Sequence, residues 1–235
     1  MSRLTAAVRL DLLLQLRYGF YYAAAFVTLV WIALLYPLPD SLLDLAVTFV
    51  IFTDLAVTGY YFIAGMVLFE KGERTLFAVL STPLRFREYL TSKLATLTAL
   101  AAAASLAVVI AAHGLGFDAA LLMLGVVFTS LICLLIGFIV VTPFDSISRY
   151  LIPSQIPMVV LGLPLLHLFG VWESALFYLF PTQGSLLLLG GAFGTVSLSA
   201  PQIAYAVIYQ LAWVCGLAAL ARWMFYRYVV QRKGA

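Results

Sequence analysis

Residues 46–69 read AVTFVIFTDLAVTGYYFIAGMVLF, 24 consecutive residues with a single side chain charged at neutral pH in water, Asp54. A helix of that length is ~36 Å long, enough to cross the roughly 30 Å hydrocarbon layer of a bilayer. A soluble chain would have to bury such a helix behind a polar surface. This chain has little to offer: 65% of its 235 residues are hydrophobic and 10% charged, against roughly 45–50% and about 25% in an ordinary soluble domain. The sequence therefore predicts an all-α integral membrane protein in which lipid takes the place of polar surface.

Outward from this stretch, five others pass the same length test. The expected spans are six, at about 18–36, 46–69, 94–113, 119–142, 151–169 and 203–225, forming one transmembrane domain over 1–235. Residues 1–17 form a basic arm with no small-residue cleavage site after it, so the first span is expected to stay. Six spans sort all 13 lysines and arginines to one side. Arg3, Arg9 and Arg17 lie in the arm, Lys71, Arg74, Arg85, Arg87 and Lys93 between the second and third spans, Arg149 between the fourth and fifth, and Arg222, Arg227, Arg232 and Lys233 at the end. Asp40, Asp44, Asp118 and Glu173 fall on the other side. By the positive-inside rule both termini are expected in the cytoplasm.

The net charge of +3 is small and scattered, which argues for topology and against a nucleic-acid partner. Cys133 and Cys215 sit in apolar runs without metal-ligand spacing and are read as small core residues. His113 and His167, near outer span ends, are too few for a metal site. The stretch 170–201 is apolar but interrupted by Pro181, Gly184, Gly190, Gly191 and Gly194. Irregular backbone at membrane depth needs protein or water to satisfy it, so a pair of short interfacial or re-entrant helices is expected there, on the outer face.

The longest inner connection, 70–93, reads EKGERTLFAVLSTPLRFREYLTSK. After Gly72 a short helix is expected, with Glu73 at its positive end, Leu76, Val79 and Leu80 on one face, and Pro83 disfavouring helix at Thr82. Two readings fit: a basic helix lying on lipid headgroups, or an apolar knob that docks into a soluble partner and transmits its movement to two spans.

Glu70, Lys71, Glu73, Arg74, Thr75, Leu76, Leu80, Thr82, Pro83, Leu84, Tyr89 and Lys93, together with LFYLFPTQGSLLLL at 176–189, resemble the membrane subunit of ABC-2 type exporters. Within that family the pattern is most similar to the small bacterial and archaeal permeases grouped with fluoroquinolone export. The resemblance implies a paired permease, identical or not, in a prokaryotic plasma membrane. It further implies a coupling helix, carried by Glu70, Glu73, Arg74, Leu76, Leu80, Thr82 and Pro83, that engages a separate ATP-binding-cassette subunit. This chain has no GxxxxGK[ST] loop, so it is expected to carry no cofactor, with ATP and magnesium on the partner. The implied cargo is a hydrophobic or amphiphilic small molecule moved outward. The basic arm resembles the family's elbow helix.

Asp54, Thr58 and Tyr61 share a helical face. They form either a polar strip along a translocation path or, for the carboxyl, a hydrogen bond to a neighbouring span. The competing class of intramembrane enzyme lacks paired catalytic carboxylates, a Ser/His couple or HExxH in any span. A secondary transporter, which needs no ATPase, is the other alternative.

Overall fold

The structure is a computed structural model, and it describes residues 3–75 and 84–230. Among them the chain is helical throughout, with no strand. Helix α1 (Arg3–Arg17) turns into α2 (Phe20–Leu35) through Gly19, whose φ of +80° is the left-handed conformation that glycine adopts without steric cost. The two helices meet at 63°. Then come α3 (Asp40–Gly72), α4 (Phe86–His113) and α5 (Ala119–Val141). Three short helices follow, α6 (Ile147–Leu151), α7 (Gln155–Gly162) and α8 (Leu165–Leu168), then a 3₁₀ turn (Ala175–Leu179), α9 (Gln183–Ala192), α10 (Ala200–Phe225) and a π-helical turn (Tyr226–Val230).

Local chemistry sets these boundaries. The Asp118 carboxylate accepts the backbone N–H groups of Ala120 (2.9 Å) and Leu121 (3.1 Å) and starts α5. Glu88 reaches back to the Arg85 N–H at 2.8 Å at the head of α4. Gln202 does the same for Ser199 ahead of α10. Helix α3 stops where Arg74 takes a φ of +59°, a left-handed turn that no α-helix continues through.

Four helices are long and apolar enough to cross a membrane, α3, α4, α5 and α10 with its terminal turn, and the bent pair α1–α2 makes five. The sequence reading of 151–169 as one span meets a different backbone, interrupted around Pro153 and Pro164. A proline lacks the N–H that the ladder needs and crowds the preceding turn. In 170–201 two short helices are present, but α9 is not a surface element. Nearly all of it is buried against α5 and α10, tied by the Gln210–Ser185 hydrogen bond and by the Thr182 hydroxyl donating to the Leu161 carbonyl at 2.9 Å.

Helix α5 is the hub, packed on by α3, α4, α9 and α10. Its contact with α3 is intimate because position 137 is glycine. A Cβ there would lie 2.5 Å from the Tyr60 carbonyl oxygen and 3.0 Å from Ile63 Cγ2. Gly59 and Gly65, the small residues of the span quoted first, face side chains at ordinary or slightly tight distances of 3.5 and 3.3 Å. One core cluster gathers Phe86, Tyr89, Phe138 and Phe225, and another Phe52, Leu122, Leu189 and Phe193. Cys133 is buried, whereas Cys215 is exposed, unlike the core role expected for both.

Candidate functional site: a buried ion network at the basic end

Helix α1 buries Ala7, Asp11, Leu14 and Gln15, one stripe at i, i+4, i+7 and i+8, against α4. Leu10, Leu12, Leu13 and Leu16 point outward and are exposed. By the standard of a soluble protein the helix is partly inside-out: most of its leucines face the surroundings, while Asp11 and Gln15 face protein.

The polar stripe meets a lysine. Lys93 has no solvent exposure, and its ammonium donates to Asp11 Oδ1 at 2.7 Å and to Glu70 Oε1. The Tyr89 hydroxyl donates to Glu70 Oε2 at 2.7 Å, and the Ser92 hydroxyl donates to the other Asp11 oxygen. The ammonium also lies 4.7 Å from the Tyr89 ring centroid, within cation–π range. Beside the network, Gln15 Nε2 donates to Thr96 Oγ1 at 2.7 Å. Two carboxylates share one ammonium, and the two hydroxyls satisfy the remaining carboxylate oxygens. Buried charges persist when they are paired and hydrogen-bonded in this way.

This network joins three segments: α1, the end of α3 and the first turns of α4. Two further fastenings surround it. Glu73, just past α3, accepts from Arg17 Nη2 (3.1 Å) and from the Tyr18 hydroxyl (3.0 Å), so the α1–α2 elbow is tied to the exit of α3. Lys71 donates to the carbonyls of Thr142 (2.6 Å) and Phe144 (2.7 Å), with Asp145 at 3.9 Å. An ammonium there satisfies carbonyls at the negative end of α5. At this end of the bundle α1, α3, α4 and the end of α5 are thus cross-linked through residues that open or close the 70–93 connection.

Of the residues expected to form the coupling element, Glu70 is buried in the network, Glu73 holds the elbow, and Arg74 is exposed at the turn. Leu76, Leu80, Thr82 and Pro83 lie outside the described residues. In the sequence Lys93 reads as a topological charge and part of the exporter resemblance, Asp11 has no role, and Asp54 stands out within 46–69. Asp11, Glu70 and Lys93 are all at least as buried as Asp54. The available signal was an aspartate placed four residues before Gln15 within a leucine-rich arm, opposite Ser92, Lys93 and Thr96, which share a helical face.

Asp54 and Thr58 line a crevice between α2, α3 and α4, with Ala24, Phe62, Leu97 and Ala101. It offers about 10 Å³, of the order of one water. Trp31 Nε1 donates to Asp54 Oδ1 at 3.1 Å, and Thr58 donates to the Asp54 backbone carbonyl at 2.5 Å. Tyr61 does not join them. Its hydroxyl accepts from Gln155 Nε2 at 2.9 Å, and its ring sits against Tyr60 and Tyr150.

At the opposite end, His113 Nε2 is 2.8 Å from Asp44 Oδ1, pinning the end of α4 to the start of α3. No group of three or more potential metal ligands occurs among the described residues.

Residues 2–233 match the model of the Fluoroquinolones export permease protein family. Two proteins named fluoroquinolones export permease, from two strains of Mycobacterium tuberculosis, are each 45% identical to this chain over 235 residues. The alignment covers 100% of this chain and 99% of each relative.

Proposed function

This chain belongs to the fluoroquinolones export permease family, and from that premise we propose that it is the membrane subunit of an ATP-driven exporter. In this reading a separate ATP-binding-cassette subunit, which holds ATP and magnesium, docks on the 70–93 connection. A second permease chain completes the path, in the plasma membrane of a prokaryote. The cargo is a hydrophobic or amphiphilic small molecule moved outward, and the relatives' name makes planar fluoroquinolones the first class to test.

The observation that carries the reading is the Asp11–Lys93–Glu70 network. A docking element can move two spans only if its ends are joined stiffly to them. Here the last residues before the connection and the first turns after it are bonded to each other and to α1. Force applied between Glu73 and Leu84 would therefore be delivered to α1, α3 and α4 together. Topology fits as well. Four long helices, the α1–α2 pair and the broken run 147–168 make six crossings if each of the latter is one, which returns both termini to the basic side.

The test is co-expression with the candidate ATPase subunit. The wild-type chain is expected to co-purify with it and to show ATP hydrolysis stimulated by a fluoroquinolone in proteoliposomes. Leu76→Asp and Leu80→Asp should abolish co-purification while the permease still inserts. Transport by the purified permease alone, driven by an ion gradient, would overturn the proposal in favour of a secondary transporter.

A further inference from the structure

Helices α4 and α10 both pack on α5 and touch each other where Phe86 and Tyr89 meet Phe225. Between them, at the basic end of the bundle, an open cleft of about 740 Å³ remains. Its walls are apolar and low: Leu90 and Leu94 from α4, Ala218 and Ala219 from α10. Arg87, in the first turn of α4, and Arg222, in the last turn of α10, stand at its mouth. Trp223 and Tyr226 flank them, and the Arg222 guanidinium lies 5.9 Å from the Tyr226 ring. A third guanidinium, that of Arg227, stacks at 5.0 Å over Trp223. No carboxylate lines the cleft, and neither Arg87 nor Arg222 has an acidic partner among the described residues.

Two guanidiniums lining a largely apolar cleft, framed by tryptophan and tyrosine, match an anionic headgroup with its acyl chain. Guanidinium binds phosphate oxygens in a bidentate fork. Tryptophan and tyrosine settle at headgroup depth. Basic pockets between membrane helices on the cytoplasmic side hold anionic lipid headgroups. We propose that this cleft is a binding site for an anionic phospholipid, its phosphate held between Arg87 and Arg222 and one acyl chain lying along Leu90, Leu94, Ala218 and Ala219. The lipid adds a second bridge between two helices that otherwise meet through the rings of Phe86, Tyr89 and Phe225. One of them, α4, also carries Lys93 on its protein-facing side, so an occupied cleft supports the helix that holds the ion network.

Native mass spectrometry of the full-length chain, delipidated and titrated with phosphatidylglycerol or phosphatidylcholine, tests this. Phosphatidylglycerol should be retained preferentially. Arg87→Gln and Arg222→Gln should each weaken its retention about fivefold, and the double variant about 25-fold, as expected for removing one basic contact to an anionic lipid at a time. Arg149→Gln, an exposed arginine outside the cleft, should change nothing. Ala219→Trp, which fills the slot and keeps both charges, should also displace the lipid, and a monodisperse elution profile checks that each variant is folded. Equal retention of phosphatidylcholine, or unchanged retention in both the double variant and Ala219→Trp, would overturn the proposal. Glycerol phosphate competing as well as the intact lipid would show that the apolar walls contribute nothing, and would overturn the lipid assignment in favour of a soluble anion. A lipid-free dimer lost in Ala219→Trp would assign the cleft to a second copy of the chain instead.

Discussion

Replacing Lys93 with methionine keeps an unbranched side chain, one atom shorter, and deletes its charge. Asp11 and Glu70 would then face each other without a cation, and the local charge would go from −1 to −2. Removing one partner of a buried pair costs about 3–5 kcal/mol, because the charge left behind is neither solvated nor paired. Lys93 is fully buried and bonded to both carboxylates, so the upper half of that range is expected. At roughly 2–4 °C per kcal/mol for a chain of this size, the melting temperature in detergent should fall by about 8–20 °C. The revealing comparison is Lys93→Met combined with Glu70→Gln. The glutamine still accepts from Tyr89, and the local charge returns to −1. The double variant should regain about 1–3 kcal/mol relative to Lys93→Met alone, the range of coupling between residues of one network. Thermal unfolding followed by size exclusion and intrinsic fluorescence reads both quantities. A Lys93→Met protein that melts within 2 °C of wild type would refute the reasoning, as would a double variant no more stable than the single one.

Three further outcomes follow from the same geometry. Gly137→Ala places a methyl group 2.5 Å from the Tyr60 carbonyl and must push α3 and α5 apart, which should cost about 1–3 kcal/mol in the same unfolding assay. Arg17→Gln breaks an ion pair whose side chains are 67% and 35% exposed, so stability should change by less than about 1 kcal/mol; a larger loss would mean that the elbow contributes more than its solvated geometry implies. Trp31→Phe strips Asp54 of its indole donor and should destabilise by about 1–3 kcal/mol. Asp54→Asn keeps an acceptor for that donor and should be milder, with transport assayed in both variants to separate packing from a role in the path.

Much of this architecture was legible in the residues. The 119–142 stretch is α5 almost to the residue, and 46–69 and 203–225 lie inside α3 and α10, because long apolar runs without proline leave the backbone no alternative at membrane depth. The third span was read as starting at Leu94, whereas α4 begins at Phe86. Its first two turns carry Arg87, Glu88 and Lys93, and hydropathy discounts charged residues even when they are helical. The 151–169 stretch reads as one unbroken helix for the converse reason, whereas its backbone is interrupted: Pro153, Pro157 and Pro164 lower average hydropathy little but remove backbone donors. The ion network was hidden by a rule carried over from water. In water a helix shows its buried face as a leucine stripe, whereas α1 turns most of its leucines out and its Asp11 and Gln15 in. Asp54 was noticed because it stands alone in an apolar run. Its partner Trp31 was not, since nothing in a single sequence links positions 23 residues apart.

The inside-out attachment of α1 gives the joint an unusual property: its strength depends on dryness. A greasy seam tightens when water surrounds it, but a seam of opposite charges behaves the other way. If the local effective dielectric rose from about 20 to about 80, each attraction between Lys93 and its carboxylates would fall about fourfold. A conformational step that admits water beside α4 would thus release the arm with no further change in shape, and expelling that water would fasten it again. In the exporter proposed above, hydration beside α4 would itself act as the latch on the arm.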